Sequence, residues 1–170
     1  GHLTLRHSKR PELTFDPETE AAALIDWLGD LWPSTHPAPT EIVRGEGFAL
    51  MDERDQVISL QNCASHNAFE AMLGQKLSPR RWRANLWIEG WEAFAERDLI
   101  GRVLRIGDAE LTVTEPIGRC RATDTNPETG TPDLDMLQEL KSRFGHTDFG
   151  IFARVTRAGQ IRRGDPVEIL

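Results

Sequence analysis

From Asn85 to the C-terminus the apolar residues arrive in short runs bounded by turn residues, and this pattern limits the fold more than any other feature of the chain. Residues 85–89, 102–106, 110–114, 149–156 and 167–170 each read as a strand, interrupted by one helix over about 133–144. Gly107-Asp108 and Gly164-Asp165 predict tight turns between antiparallel neighbours. Upstream, Leu3, Leu5, Leu13 and Phe15 alternate around a turn-like 8–11, which predicts a hairpin. Asp16 as N-cap and Pro17 at the first helical position then lead into Leu24, Trp27, Leu28 and Leu31 at helical spacing, up to Pro33. Residues 33–40 carry Pro33, Pro37 and Pro39 and read as a connector; 41–44 and 47–51 read as short strands, 52–56 as a polar loop and 57–60 as a strand. Asn62 is placed to cap a helix through Leu73, with Ala64, Ala68, Phe69, Met72 and Leu73 as its apolar stripe and Gly74 as its stop. The expected class is α+β: a strand-rich, largely antiparallel, twisted or barrel-like sheet with peripheral helices, residues 1–170 forming one domain with no internal linker.

Composition removes several functions. Twenty Lys and Arg against 27 Asp and Glu leave a net charge of −7, the wrong sign for general nucleic-acid binding. No apolar run approaches the roughly 20 residues that span a bilayer, and no leader pattern opens the chain, so the expectation is a cytoplasmic protein without a membrane partner. Two cysteines, Cys63 and Cys120, exclude a disulfide framework and a four-cysteine zinc site. His2, His7, His36, His66 and His146 make no ligand constellation, and His146 reads as a turn residue after Gly145. Residues 12–30 hold six acids and no base, the mark of a solvated face. A serine nucleophile elbow, a P-loop and a dinucleotide-binding glycine motif are all missing.

Two features carry chemistry. Lys76, Arg80, Arg81 and Arg83 cluster with no acid among them, and Arg83 directly precedes the apolar run 84–88. An arginine pointing inward there needs a partner, and a phosphate matches its planar fork of donors; the alternative is a solvated loop. Cys120 stands between Arg119 and Arg121, a field that favours the thiolate, the form that attacks electrophiles and binds soft metals. A buried structural cysteine is the other reading. Asn126-Pro127-Glu128-Thr129-Gly130 is a dense turn signal, so Cys120 is expected at the end of a strand that runs into a sharp loop. Thr123, Asp124, Thr125 and Asn126 either line a polar site there or satisfy the loop backbone by local hydrogen bonds.

The string Glu115-Pro116-Ile117-Gly118-Arg119-Cys120-Arg121-Ala122-Thr123, the turn at 126–130, residues 145–155 and the closing Gly164-Asp165-Pro166-Val167 together resemble the C-terminal signature of the MOSC domain family. Residues 57–60, Ala64-Ser65 and Trp82-Arg83-Ala84-Asn85-Leu86 resemble the branch of that family that includes the mitochondrial amidoxime-reducing component, so the likeness covers roughly residues 40–170. The resemblance implies a MOSC sheet and a pocket for the molybdenum cofactor, molybdopterin. Cys120 is then the catalytic position and the metal ligand, Arg83 reaches the cofactor with Asn85 beside it, and Arg119 keeps Cys120 ionised. Thr123 and Asn126 belong to the same cofactor-binding set. The implied activity is an oxidoreductase of the amidoxime-reducing type, fed by an iron-sulfur, haem or flavin protein as electron-transfer partner.

Two other functions stay open. Cys120 can carry a persulfide in sulfur transfer, with a cysteine desulfurase as partner; pyridoxal phosphate would then reside in that partner, because none of Lys9, Lys76 and Lys141 is recognisable as a Schiff-base lysine. A non-catalytic domain without cofactor affinity is the third. Relatives of this branch begin with a strand carrying a Lys-Ser pair that residues 1–40 do not match, so the chain reads as truncated at its N-terminus. Where relatives place small hydroxyl residues near the phosphate, this chain has Arg54-Asp55-Gln56, and an acid there repels an anion.

Overall fold

A computed structural model describes residues 1–45 and 56–170. The chain divides into two compact units, Gly1–Leu50 and Met51–Leu170.

In the first unit β1 (Leu3–His7) and β2 (Arg10–Phe15) form the expected antiparallel hairpin, with Leu3 opposite Phe15 and Leu5 opposite Leu13. The helix α1 (Ala21–Leu28) starts later than the Asp16-Pro17 signal predicts. Asp16 caps a turn instead: its Oδ1 accepts from Glu18 N at 3.0 Å, while Glu20 Oε2 accepts from Asp16 N at 2.7 Å, which closes the segment on itself before the helix begins. Trp27 Nε1 donates to Pro11 O at 2.6 Å and ties α1 to β2. Residues 41–44 are not a strand, and Val43 is 72% exposed, so no packed face fixes the segment in extended pairing. The expected strand 47–51 and all but the last residue of the polar loop 52–56 lie outside the described residues.

The second unit contains β3 (Ile58–Asn62), α2 (Cys63–Leu73), β4 (Leu86–Ile88), β5 (Val103–Ile106), β6 (Ala109–Gly118), the two-residue strands β7 (Thr125–Asn126) and β8 (Thr131–Pro132), α3 (Met136–Phe144), β9 (Asp148–Arg157) and β10 (Val167–Ile169). A six-stranded sheet runs β10-β5-β6-β9-β3-β4, antiparallel except for the β3–β4 pair. Leu86, Trp87 and Ile88 of one edge strand and Val167 of the other line a common cleft of about 740 Å³, so the sheet curls towards a half-barrel. This is the α+β, largely antiparallel and barrel-like arrangement that the turn-bounded runs predict.

Period-two alternation sets its faces. Leu60, Leu104, Ile106, Leu111, Val113, Ile151 and Ala153 are buried together on the inner face. On the outer face Arg105 meets Glu110 and Glu168 at 3.3 Å, and Arg157 meets Glu110 at 3.1 Å. The second core lies under the helices: Phe69, Leu77, Trp82, Met136, Leu140 and Phe149. Gly107-Asp108 makes the expected hairpin turn, with Ile106 opposite Ala109. Gly164-Asp165 does not join two neighbouring strands, because β10 pairs with β5 and the chain leaving β9 must travel to the far edge of the sheet.

Helix α2 begins as its cap residue dictates, with Asn62 Oδ1 accepting from Ala64 N at 3.0 Å, and ends on Gly74 at φ +70. Its buried face is not the expected stripe. Ser65, His66, Phe69 and Glu70 point inward, whereas Met72 is 48% exposed. The turned-in polar groups all find partners, which makes that rotation tolerable. Glu96 accepts from Asn62 Nδ2 and Ser65 Oγ, each at 2.8 Å, and Glu70 accepts from Leu77 N and Lys76 Nζ, each at 2.7 Å. No helix among the described residues is long and apolar enough to cross a membrane.

Candidate functional site

Strand β6 delivers the thiol. It ends at Gly118, and Cys120 stands in extended backbone just before the 3₁₀ turn Arg121–Asp124, with its side chain exposed. Thr123 closes that turn, its N–H and Oγ1 donating to Cys120 O at 3.1 and 2.8 Å. The other cysteine is a different case. Cys63 is half-buried in the first turn of α2, and burial, reinforced by the charge of Glu89, pushes its thiol up from the ordinary value, away from the reactive thiolate. Of the two thiols, Cys120 is the more exposed.

A bulge in β9 fixes what stands behind the thiol. Between the Pro116–Ile151 and Gly118–Asp148 pairs, β9 holds one residue more than β6, and Gly150 takes φ +83. No other residue fits there: a Cβ at position 150 would lie 2.4 Å from Gln61 Oε1 and 2.8 Å from Leu60 O. The bulge turns the Phe149 carbonyl towards Arg119, which donates to it from Nε at 2.7 Å and also from Nη2. Arg119 Nη1 donates to Trp82 O and Nη2 to Gln61 Oε1, each at 3.0 Å, and the guanidinium lies 5.2 Å from the Trp82 ring centroid. Burial pulls the Arg119 guanidinium down to about 10, while the neighbouring Cys120 sulfur pushes it back up. It is therefore cationic at neutral pH and supplies a positive charge next to Cys120.

Trp82 is positioned from its other side. Its indole Nε1 donates to His66 Nδ1 at 3.0 Å, its ring stacks on Phe149 at 4.2 Å, and the His66 ring also meets Trp87 edge-on at 5.4 Å. Burial holds the His66 imidazole below its ordinary value against the opposing pull of Glu70, so the ring is neutral and its Nδ1 lone pair is available to the indole.

The arginine that turns inward is Arg81, not Arg83. Arg81 is 6% exposed; its Nη1 donates to Thr123 O at 3.0 Å and Asp124 O at 3.1 Å, and its Nη2 to Asp133 Oδ1 at 2.5 Å. It binds the turn Pro79–Trp82 to the turn that follows Cys120. Asn126 joins this network, donating from Nδ2 to Asp133 Oδ2 at 2.8 Å and accepting Glu128 N at 2.9 Å. Burial raises the Asp133 carboxyl, but hydrogen bonds from Arg81 and Asn126 outweigh it and hold the group below its ordinary value. Arg83 is exposed and lines an open cleft of about 440 Å³ with Pro79, Arg80, Ala84, Trp87 and Pro127.

The six residues singled out in the sequence therefore take two kinds of place. Cys120 and Arg83 are exposed, and Cys120 is not among the residues that line the cleft of Arg83. Arg119, Thr123 and Asn126 hold the thiol-bearing loop through the hydrogen bonds above. Asn85 braces the β3–β4 edge, its Oδ1 accepting from Ser59 N at 2.8 Å and Ser59 Oγ at 2.9 Å, and it also lines the cleft of about 740 Å³. Sequence reasoning missed Gln61, His66, Arg81 and Asp133 as parts of the site. Gly150 inside the apolar strand run was the available signal for the bulge. Among the described residues no cluster of three or more His, Cys, Asp or Glu is suited to hold a metal ion.

A family model described as the MOSC domain matches residues 36–168. Mitochondrial amidoxime reducing component 2 of Rattus norvegicus is 33% identical over 107 residues, covering 56% of this chain and 31% of that protein. Mitochondrial amidoxime-reducing component 1 of Mus musculus is 33% identical over 119 residues, covering 63% and 34%. The chain spans about a third of the length of these curated relatives. Among solved structures, YiiM from Geobacillus stearothermophilus superposes with a TM-score of 0.52 at 19% identity, covering 66% of this chain and 53% of that one. YiiM from Escherichia coli gives 0.50 at 15% identity, with the same coverage. At these identities the two structures show a shared fold.

Proposed function

The chain belongs to the MOSC domain family, and from that membership together with its one exposed thiol we propose that it is a molybdenum-cofactor-binding domain that takes part in reduction of N-hydroxylated substrates. The donor set fits such a group. A soft sulfur ligand is presented at Cys120, and the cleft beside Arg80 and Arg83 suits the anionic end of a phosphorylated pterin. When bound, the cofactor supplies two-electron redox chemistry at its metal.

The protein's own residues do the positioning. Cys120 presents its sulfur from a turn closed by Thr123, so the ligand is not carried on a loose loop. Arg119 fixes the backbone on the preceding side through its bonds to the Trp82 and Phe149 carbonyls. Arg81 and Asp133 couple this turn to the segment that carries Arg83, which keeps the thiol and the anion-binding cleft in register. The electrons come from a separate redox protein in this reading, and the substrate approaches the exposed side of Cys120.

The observation that carries the reading is the exposed Cys120 thiol beside the half-buried Arg119 cation. Its test is a reduction assay with the chain produced under molybdenum-cofactor supply, an N-hydroxylated amidine as substrate and a reduced dye as electron source. Turnover that disappears in Cys120→Ser supports the reading; equal turnover in Cys120→Ser and the parent rejects it. A sulfur-carrier role uses the same exposed thiol, and it predicts that incubation with a cysteine desulfurase adds the mass of one sulfur at Cys120.

A further inference from the structure

Strand β9 begins beside a small cavity of about 60 Å³ whose walls are mostly aromatic: Phe94, Phe144 and Phe149, with Pro116. Phe94 takes φ +68, the left-handed region that a residue with a Cβ adopts only when its surroundings dictate it, and its N–H donates to Ser65 Oγ at 2.7 Å. The Phe144 ring stacks on His146 at 5.9 Å and sets the imidazole at the edge of the cavity, where Arg97 and Asp148 also line the wall.

These three side chains leave one another incompletely satisfied. His146 Nδ1 accepts from Asp148 N at 3.1 Å, so in the neutral ring the proton sits on Nε2, and it is Nε2, not Nδ1, that Arg97 Nη1 lies closer to. Two N–H groups therefore face each other where an acceptor belongs. The Asp148 carboxylate has the opposite need. Arg97 Nη2 and His146 Nδ1 stand 3.7 and 3.6 Å from its Oδ2, and neither separation is a hydrogen bond. The cavity mouth thus offers two donors, His146 Nε2 and Arg97, with a carboxylate acceptor beside them.

We propose that this cavity binds a neutral primary amide on a chain of one or two carbons: the carbonyl oxygen accepts from His146 Nε2 and Arg97, the amide N–H donates to Asp148, and the alkyl group fills the aromatic cage. Size sets the chain. A cavity of about 150 Å³ admits benzene, and this one has less than half of that volume. Charge and hydrogen bonding set the head. A carboxylate has the shape of an amide but puts its second oxygen against Asp148, with Glu96 as a further carboxylate in the wall. An amidinium gives both donors no acceptor and brings a positive charge to Arg97. The site uses neither Cys120 nor a metal, so it stands apart from the cofactor reading.

Titration of the isotope-labelled full chain with acetamide, acetate and acetamidinium near neutral pH, followed by backbone amide NMR shifts, tests it, because the three probes differ only in the head group. Acetamide should give saturable shifts at Arg97, Asp148 and Phe149, with a Kd at least about tenfold lower than those of the two ions. Asp148→Asn replaces the anion by a group that can also donate, and it should reverse the order of acetamide and acetate. Arg97→Gln should raise the acetamide Kd about tenfold. The side chains of Asp148 and Arg97 are 30% and 43% exposed, so these variants fold. Benzamide should give no saturable shift at the same residues. The proposal is overturned by the absence of saturable acetamide shifts in the parent, by acetate or acetamidinium binding as tightly as acetamide, by benzamide binding as tightly, or by an unchanged order in Asp148→Asn.

Discussion

Arg119 donates to the carbonyl of Trp82 at 3.0 Å and lies over the same residue's ring, which locks the position before the thiol to the position before Arg83. Cys120 and Arg83 are far apart in the chain, and this one side chain brings their backbones together. The cation is half-buried and multiply bonded, so its shape matters as well as its charge. Arg119→Lys keeps the charge but cannot reach the carbonyls of Trp82 and Phe149 and the Gln61 amide at once. It should cost about 2–4 kcal/mol in urea unfolding. A variant as stable as the parent contradicts the tie.

Gly150 and Gly130 make a matched pair of tests, since both take positive φ, +83 and +71. Nothing lies within 4 Å of a Cβ at 130, so Gly130→Ala should cost only about 1 kcal/mol of backbone strain. At 150 the same methyl meets Gln61 Oε1, Leu60 O and Arg119 Nη2. Gly150→Ala should cost more than about 3 kcal/mol or yield insoluble protein. Equal losses at the two positions would show that the bulge is not crowded.

Removal of Arg81 takes a donor from Thr123 O, from Asp124 O and from the Asp133 carboxylate, of which Asp124 O keeps Asp133 N and the carboxylate keeps Asn126 Nδ2. Asp133 is partly solvated, which limits the loss, and Arg81→Met should destabilise by about 2–3 kcal/mol. The exposed neighbour offers the contrast: Arg80→Met should stay within about 0.5 kcal/mol of the parent. Comparable losses in the two variants would mean that Arg81 does not hold the loop.

His66 gives the site a predictable response to acid. Its folded-state value lies below the ordinary imidazole value, through burial, so on acidification the unfolded chain takes up the proton first. The stability tied to neutral His66 is present above about pH 6.5 and is lost as pH falls below it. His66→Gln keeps an acceptor for Trp82 Nε1 but cannot titrate. The stability gap between parent and His66→Gln, measured by urea unfolding, should narrow between about pH 7.5 and about pH 5.5. A constant or widening gap contradicts the assignment of a neutral buried ring.

The strands were legible because turns and alternation report them locally: Gly107-Asp108 and the Asn62 and Gly74 caps specify their own backbones. Asp16 misled because a carboxylate caps a turn as readily as a helix, and only contacts with Glu18 and Glu20 decide. The face of α2 was misread because apolarity alone was counted, while Ser65, His66 and Glu70 are drawn inward by partners distant in sequence. The place of Cys120, past the end of a strand and before a turn, was legible from the dense turn signal at 126–130. The role of Arg119 was not, since nothing in a string of letters shows a guanidinium bonded to the carbonyls of Trp82 and Phe149. Arg81 and Arg83 look equivalent in sequence, but Arg81 lies inside the 3₁₀ turn and is buried, whereas Arg83 ends it in left-handed backbone and is exposed.

Molybdenum content, measured on the chain and on Cys120→Ser after parallel production under cofactor supply, bears most directly on the thiol as metal ligand. Cys120 is exposed, so its replacement should leave unfolding within about 0.5 kcal/mol of the parent. The parent should carry near-stoichiometric molybdenum and the folded serine variant at least about tenfold less. Equal metal in the two proteins, or none in the parent, contradicts it.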